Sequence, residues 1–199
     1  MKLIVLTGPS GSGKTILGEK FANSLDSSLL IKTDSYYRDD LLIKLLSIFF
    51  YDVYDRIISI KYKKLIQTIN SLINKEKHTI FYNYDFINKK SSKQIRDLKK
   101  FRFIILEGIF AHRLDLNYKD TMNIICKQNK EVCLNRRIAR DQLERGRNLK
   151  EVSLKFNKSW DLYFKNLKKF KEQNKVISLR SDDDALYEKI INKLEIHNK

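Results

Sequence analysis

Proline occurs once in 199 residues, glycine six times and cysteine twice. No stretch rich in glycine, proline or serine divides the chain, and no internal repeat is visible. The length is therefore read as one domain over residues 1–199, with a single substantial core. Cys126 and Cys133 fit no metal-ligand or redox spacing, and both are expected as small, reduced core residues. Long hydrophobic runs are missing too. The apolar stretches around 41–50 and 101–110 stop well short of the roughly 20 residues that span a bilayer. The opening MKLIV leads straight into glycines, without the longer core and cleavage site of a secretory leader. A cytoplasmic protein with no membrane partner is expected. Acidic residues are scarce, 24 against 40 Lys and Arg, which gives a net charge of +16. The lysines are scattered, with pairs such as Lys99-Lys100 but no basic run or tail set apart. The excess reads as a compositional bias towards Lys, Asn and Ile rather than as a nucleic-acid surface.

What is present is an alternation of strand and helix patterns. KLIVLT (2–7), SLLIKT (28–33), FRFIILEG (101–108), MNIICK (122–127) and KVISL (175–179) read as strands, the most buried being 101–108. HTIFYNYDF (78–86) is a further β-rich stretch. Helical spacing covers 14–25, most of 40–75, 130–145, 149–172 and 183–196. Leu41, Leu42, Leu45, Leu46 and Phe49 are expected to share one helix face, and Ile58, Tyr62, Leu65, Ile69 and Leu72 another. Such alternation predicts an α/β fold, a parallel β-sheet flanked by helices, with any ligand beyond the carboxyl ends of the strands.

Three of the six glycines and the lone proline fall within LTGPSGSGKT (6–15). Gly8, four residues, then Gly13-Lys14-Thr15 form a Walker A loop between a predicted strand and a predicted helix. Glycines at Gly8, Gly11 and Gly13 let the backbone N–H groups turn inward on phosphate oxygens. Ser10, Ser12 and Ile16 complete the expected nucleotide-binding set. Lys14 is expected to reach the β and γ phosphates, and the Thr15 hydroxyl to help hold Mg²⁺. No DxxG or NKxD motif accompanies the loop, which disfavours a GTPase.

Two carboxylates follow predicted strands. Asp34, in TDSYYR, is placed to accept a proton from an attacking hydroxyl. Glu107, in ILEGIF, is placed to hold Mg²⁺, with Gly108 leaving room for nucleotide. The segment RRIARDQLERGR (136–147) carries five arginines in twelve residues. Arg136 and Arg140 lie one helical turn apart, and Gly146 separates Arg145 from Arg147. Arginines on a hinged segment suit a lid that neutralises charge over transferring phosphates.

Taken together, GPSGSGKT, TDSYYR, YDVYD (51–55), YNYDF (82–86), ILEGIF and RRIARDQLERGRNL resemble the uridine kinase family of P-loop phosphotransferases, over roughly residues 1–156. The resemblance implies ATP as donor, with GTP open, Mg²⁺ as cofactor, a pyrimidine nucleoside as acceptor, and homo-oligomers as its common assembly. It implies Asp34 as general base, with Lys14 and Arg140 sharing the catalytic role. Tyr37, Asp52, Tyr84 and Phe86 would surround the nucleoside, Asp52 clasping the ribose hydroxyls. Arg137 and Arg140 would hold sugar and phosphate, Arg145 and Arg147 the nucleotide phosphates, and Thr15 and Glu107 the metal. The lid would span about 136–150 and the substrate-binding insert about 36–93. Tyr54 stands where the family usually carries proline, and Lys89 where it carries a base-contacting histidine. Pantothenate or phosphoribulose kinases would share the chemistry with another acceptor, and a nucleotide-dependent RNA-binding regulator is the reading from a different class.

Overall fold

The computed structural model describes residues 1–49, 53–114, 116, 118–145 and 148–196. At its centre is β1 (Lys2–Thr7), apolar on both faces because helices cover both. It pairs in parallel with β5 (Phe103–Glu107) on one side and β6 (Thr121–Cys126) on the other. Strand β2 (Ser28–Lys32) joins outside β5, and β7 (Val176–Leu179) outside β6. The order β2-β5-β1-β6-β7 puts the chain's reversal of direction at β1, whose carboxyl end opens into the glycine loop.

One face of the sheet is closed by α1 (Lys14–Ser24) and α6 (Asp184–Ile196). There Leu17, Phe21 and Leu25 meet Tyr187, Ile190 and Leu194 over Ile4, Leu6 and Ile105. The other face is closed by α3 (Tyr62–Ile73) through Leu65, Ile69 and Leu72, and by the long α5 (Leu149–Gln173) through Tyr163 and Leu167. Cys126 and Cys133 are fully buried, and burial pushes the Cys133 thiol up to about 11, so both behave as small apolar groups.

One expectation within residues 40–75 is corrected. Helix α2 (Leu41–Phe49) turns Ile43 inward, while Leu41, Leu42, Leu45 and Phe49 face solvent. The helix packs on the turn at Val53–Asp55 rather than on the sheet, so its widest apolar stripe is not the one it buries. In the following helix Leu65, Ile69 and Leu72 are buried as expected, but Tyr62 is exposed, and so is Ile58, which lies in the short turn Ile57–Ser59 before it. A strand for which the sequence gives no expectation, β4 (Lys90–Asp97), pairs antiparallel with β3 (His78–Asp85) to form a separate two-stranded ribbon. KSSKQIRD lacks apolar alternation because almost every residue of β4 is exposed.

A short turn after β5 buries His112. Its Nδ1 lies 2.9 Å from the Thr7 hydroxyl, and its ring packs edge-on against Tyr163 and Phe170. Burial, reinforced by neighbouring Arg113, lowers its pKa to about 4. In the unfolded chain it titrates near 6.5. The unfolded state therefore binds the proton first. The contribution is complete above pH 6.5 and is lost as pH falls towards 4. Between pH 7 and 4.5 the loss is expected at about 2 kcal/mol. Urea unfolding of the native chain and of His112→Gln at both pH values checks it, since only the native chain carries this increment.

Candidate active site

The register of the three neighbouring strands explains why the motifs converge. Glu107 lies level with Leu6 of β1 and Lys32 of β2, so Thr7, Glu107 and Thr33 emerge together at one edge of the sheet. Asp34 follows Thr33 in a short 3-10 turn, and the glycine loop follows Thr7. Spacing in sequence thus becomes adjacency at the carboxyl ends of β2, β5 and β1.

The loop has the strained backbone that its glycines predict. Gly11 and Gly13 have φ of 83° and 87°, in the left-handed region that side chains rarely enter. A Cβ on Gly11 would also lie 2.2 Å from the backbone oxygen of Cys133. Gly13 begins α1 without a side-chain cap, and no acidic residue occupies the first turn. The helix therefore directs its free N–H groups and positive dipole end at whatever the loop encloses. Lys14 is buried, with its ammonium 3.9 Å from the Glu107 carboxylate. Burial pushes the Glu107 pKa up, Lys14 opposes the shift and Asp34 adds to it, which sets all three groups within one electrostatic neighbourhood. Thr15 lies on the same side and also favours the ionised Glu107 carboxyl.

Helix α4 (Lys130–Arg145) lies against the loop from the other side. The Arg140 guanidinium is 3.3 Å from the Ser10 hydroxyl, and Arg136 reaches towards the Gly11 carbonyl at 3.5 Å. Asp141, fully buried, accepts from Arg140 at 2.9 Å and so fixes its direction. Arg137, expected beside sugar and phosphate, is buried instead: it donates to the Ser159 hydroxyl of α5 at 3.0 Å and lies 3.8 Å from Asp141. That geometry ties α4 to α5. The side chain of Arg145, together with Arg147 and Asp52, lies outside the described residues.

Beyond Asp34, Tyr37, Tyr84 and Phe86 form one aromatic cluster, with ring centroids 5.1–5.8 Å apart. Tyr54 joins it, its ring 5.9 Å from Tyr37 and its carbonyl accepting from the Tyr37 hydroxyl. Lys89 is exposed in the ribbon's turn at a φ of 51°. Ile16 is likewise exposed, at the start of α1.

Several contributors had no signal in the sequence. Ser181, before α6, packs so close to Gly13 that a Cβ there would lie 2.7 Å from its hydroxyl. Thr33 is pressed against Gly108. Asp39 anchors the ribbon: its carboxylate accepts from the Ser91 N–H at 3.0 Å and from Lys61 at 2.9 Å. Partial burial works against that charge, but the two donors outweigh it and hold the carboxyl below the ordinary range. The tie is therefore complete above the usual carboxylate pKa and weakens as pH falls through the lowered one. Asp39→Asn is expected to raise the acceptor KM about three- to tenfold with kcat nearly unchanged, since one charge-assisted bond is weakened far from the phosphates. Steady-state kinetics with varied acceptor check this, and a fall in kcat alone would refute it.

Comparison with known proteins agrees with this arrangement. The model of the Phosphoribulokinase / Uridine kinase family matches residues 3–185. A uridine kinase of Borrelia turicatae (strain 91E135) is 32% identical over 158 residues, covering 76% of this chain and 73% of the relative. Among solved structures, "a Possible Uridine Kinase from Bacillus stearothermophilus" superposes with a TM-score of 0.55 at 16% identity, covering 88% of each chain. The deoxyadenosine kinase from M. mycoides with bound dATP gives 0.51 at 14% identity, covering 98% of this chain and 100% of that one. At such identities the structural likeness speaks for the fold.

Proposed function

Since the chain belongs to the phosphoribulokinase/uridine kinase family, we propose that its kinase chemistry is Mg²⁺-dependent transfer of the γ-phosphoryl group of ATP to the 5′-hydroxyl of uridine or cytidine. The observation that carries this reading is the convergence of Lys14, Glu107 and Asp34 at three adjacent strand ends, with Arg140 on the loop's Ser10. Asp34 would take the proton of the attacking hydroxyl. Lys14 and Arg140 would neutralise charge on the moving phosphoryl group. The aromatic cluster of Tyr37, Tyr84 and Phe86 would receive the nucleoside, with Asp52 at its ribose. Arg145 and Arg147 would act as the closing contacts of a lid over about 136–150, and about 36–93 would form the acceptor side of one kinase domain.

The donor set fits magnesium. Thr15 and Glu107 offer a hydroxyl and a carboxylate within one electrostatic neighbourhood, and among the described residues no cluster of three or more His, Cys, Asp or Glu competes for a metal. One carboxylate, one hydroxyl and substrate phosphates make a usual hard-oxygen set for Mg²⁺, which when bound would offset the phosphates' negative charge.

A second reading keeps this chemistry and changes the acceptor. It is favoured by Lys89, an exposed cation at the ribbon's turn where the resemblance to uridine kinases implies a histidine. An ammonium donates but has no acceptor lone pair to offer a base. Both readings are tested by incubating the protein with labelled ATP or GTP, Mg²⁺ and a panel of uridine, cytidine, adenosine, pantothenate and ribulose 5-phosphate. Transfer to uridine or cytidine is expected. Transfer confined to the others would move the assignment to the second reading, and none with any acceptor would remove both.

A further inference from the structure

On the sheet face away from α1 and α6, a second cavity of about 550 Å³ opens between β1, β6 and the end of α5. It lies beside the amino-terminal half of β6, at the level of Thr121 and Asn123, whereas the glycine loop begins beyond the carboxyl end of β1. Its size falls within the roughly 300–1,000 Å³ of small-molecule sites. Its lining is mixed in the way such sites are. Val5 and Phe170 supply apolar surface, Asn123 and Gln173 supply amides, and Arg113 and Lys119 supply positive charge. No Asp or Glu lies among the described lining residues.

His112 makes this more than a surface depression. It lines the cavity and is only 6% exposed, and its Nε2 has no hydrogen-bond partner among the described residues. The same ring bonds Thr7 through Nδ1, and Thr7 is the residue directly before Gly8 of the glycine loop. Any ligand that shifts the turn at Ala111–Arg113 therefore presses on the last residue of β1. Buried packing transmits such small displacements because the interior has no slack to absorb them.

We propose that this cavity is an effector site for a small organic anion, a carboxylate, sulfonate or phosphate on an apolar body, and that its occupancy is coupled to nucleotide binding through His112 and Thr7. The anion would pair with Arg113 and Lys119, and the body would lie over Val5 and Phe170. Coupling of this kind is reciprocal: the anion changes nucleotide affinity by the factor by which nucleotide changes the anion's. The site stands apart from the kinase assignment, since it shares no side chain with Lys14, Asp34 or Glu107.

The probe is 8-anilinonaphthalene-1-sulfonate, which has the proposed charge and body. Titrated into the full chain and followed by fluorescence and calorimetry, it is expected to bind saturably, one per chain, with and without saturating ATP. The double substitution Arg113→Ser and Lys119→Ser, both at exposed positions, is expected to weaken it at least about tenfold, as loss of two charge-assisted contacts requires. Probe and ATP are expected to change each other's Kd by the same factor, about fivefold or more. Thr7→Val, which keeps the side chain's shape without its hydroxyl, is expected to leave probe binding intact and reduce that factor towards one. Full displacement of the probe by ATP, or indifference to the double substitution, would overturn the site. Unchanged coupling in Thr7→Val would overturn the route. None of these measurements depends on which acceptor is phosphorylated.

Discussion

Asp34→Asn is expected to lower kcat by about 10²–10⁴-fold, the usual worth of a positioned general base, while ATP affinity stays within about twofold. Asparagine keeps the size and the carbonyl acceptor of the side chain but cannot take a proton at neutral pH. The proposed nucleotide contacts lie elsewhere, in the loop backbone, in Lys14 and on α4, so binding should be nearly blind to the change. The same substitution removes one of the charges that push the Glu107 carboxyl upward, so Glu107 should be more readily ionised in the variant. Turnover kinetics and calorimetry with ATP separate the two effects. Near-normal turnover would end the general-base assignment, and parallel loss of ATP binding would show that Asp34 serves the loop instead.

The second large effect is expected from Gly108→Ala. A Cβ at this position would fall 1.8 Å from the Thr33 hydroxyl and 2.8 Å from both the Cβ and Cγ2 of Thr33. Rotating Thr33 cannot relieve this, because its Cβ itself is in the way. The strand ends are also held together, Gly108 donating to the Leu6 carbonyl at 3.1 Å. The strain must push Thr33 aside, and Asp34 with it. Overpacking of this kind costs about 1–3 kcal/mol, which in a chain of this size is about 2–12 °C in Tm. Displacing a catalytic group by an ångström costs about a hundredfold in rate. Thermal unfolding and kcat measure the two losses. Adding Thr33→Gly should recover most of the rate, and failure of that pair to recover would place the damage elsewhere.

How far the sequence carried this reading depends on the kind of contact involved. Buried parallel strands announce themselves as apolar runs, and the turning of the chain at Gly11 and Gly13 follows from residues that tolerate positive φ. The five strands of the main sheet and the motifs at their ends were therefore legible. Strand β4 was not, because an exposed polar strand has no periodicity to read. The direction faced by α2 was misread for a related reason. Its widest apolar stripe predicts burial, yet Ile43 is the side it buries, while Leu41, Leu42, Leu45 and Phe49 stay exposed. Contacts between distant parts of the chain, such as Thr33 with Gly108, Ser181 with Gly13 and Asp39 with Ser91, had no local signature at all. Arg137 shows the converse: its place in an arginine-rich motif suggested phosphate, but one helical position rotates it from the loop to Ser159.

The ribbon of β3 and β4 shares no backbone pairing with the five-stranded sheet. Among the described residues it is tied down through side chains: Asp39, the Thr68 hydroxyl donating to the Ile80 carbonyl at 2.8 Å, and the ring contacts of Tyr82 and Tyr84 with Tyr36 and Tyr37. Two-stranded ribbons are marginal by themselves, so this one is only as well ordered as its ties. Substitutions along it leave the register of the central strands untouched, and a few ties suffice to seat a new ribbon sequence. In evolutionary terms the proposed acceptor side is the part free to change, since a few side chains seat its ribbon, while the glycine loop is locked between the central strands and α4. On the proposed function, a lineage could exchange one acceptor for another through changes in the ribbon while the loop and the carboxylates beside it stay in place.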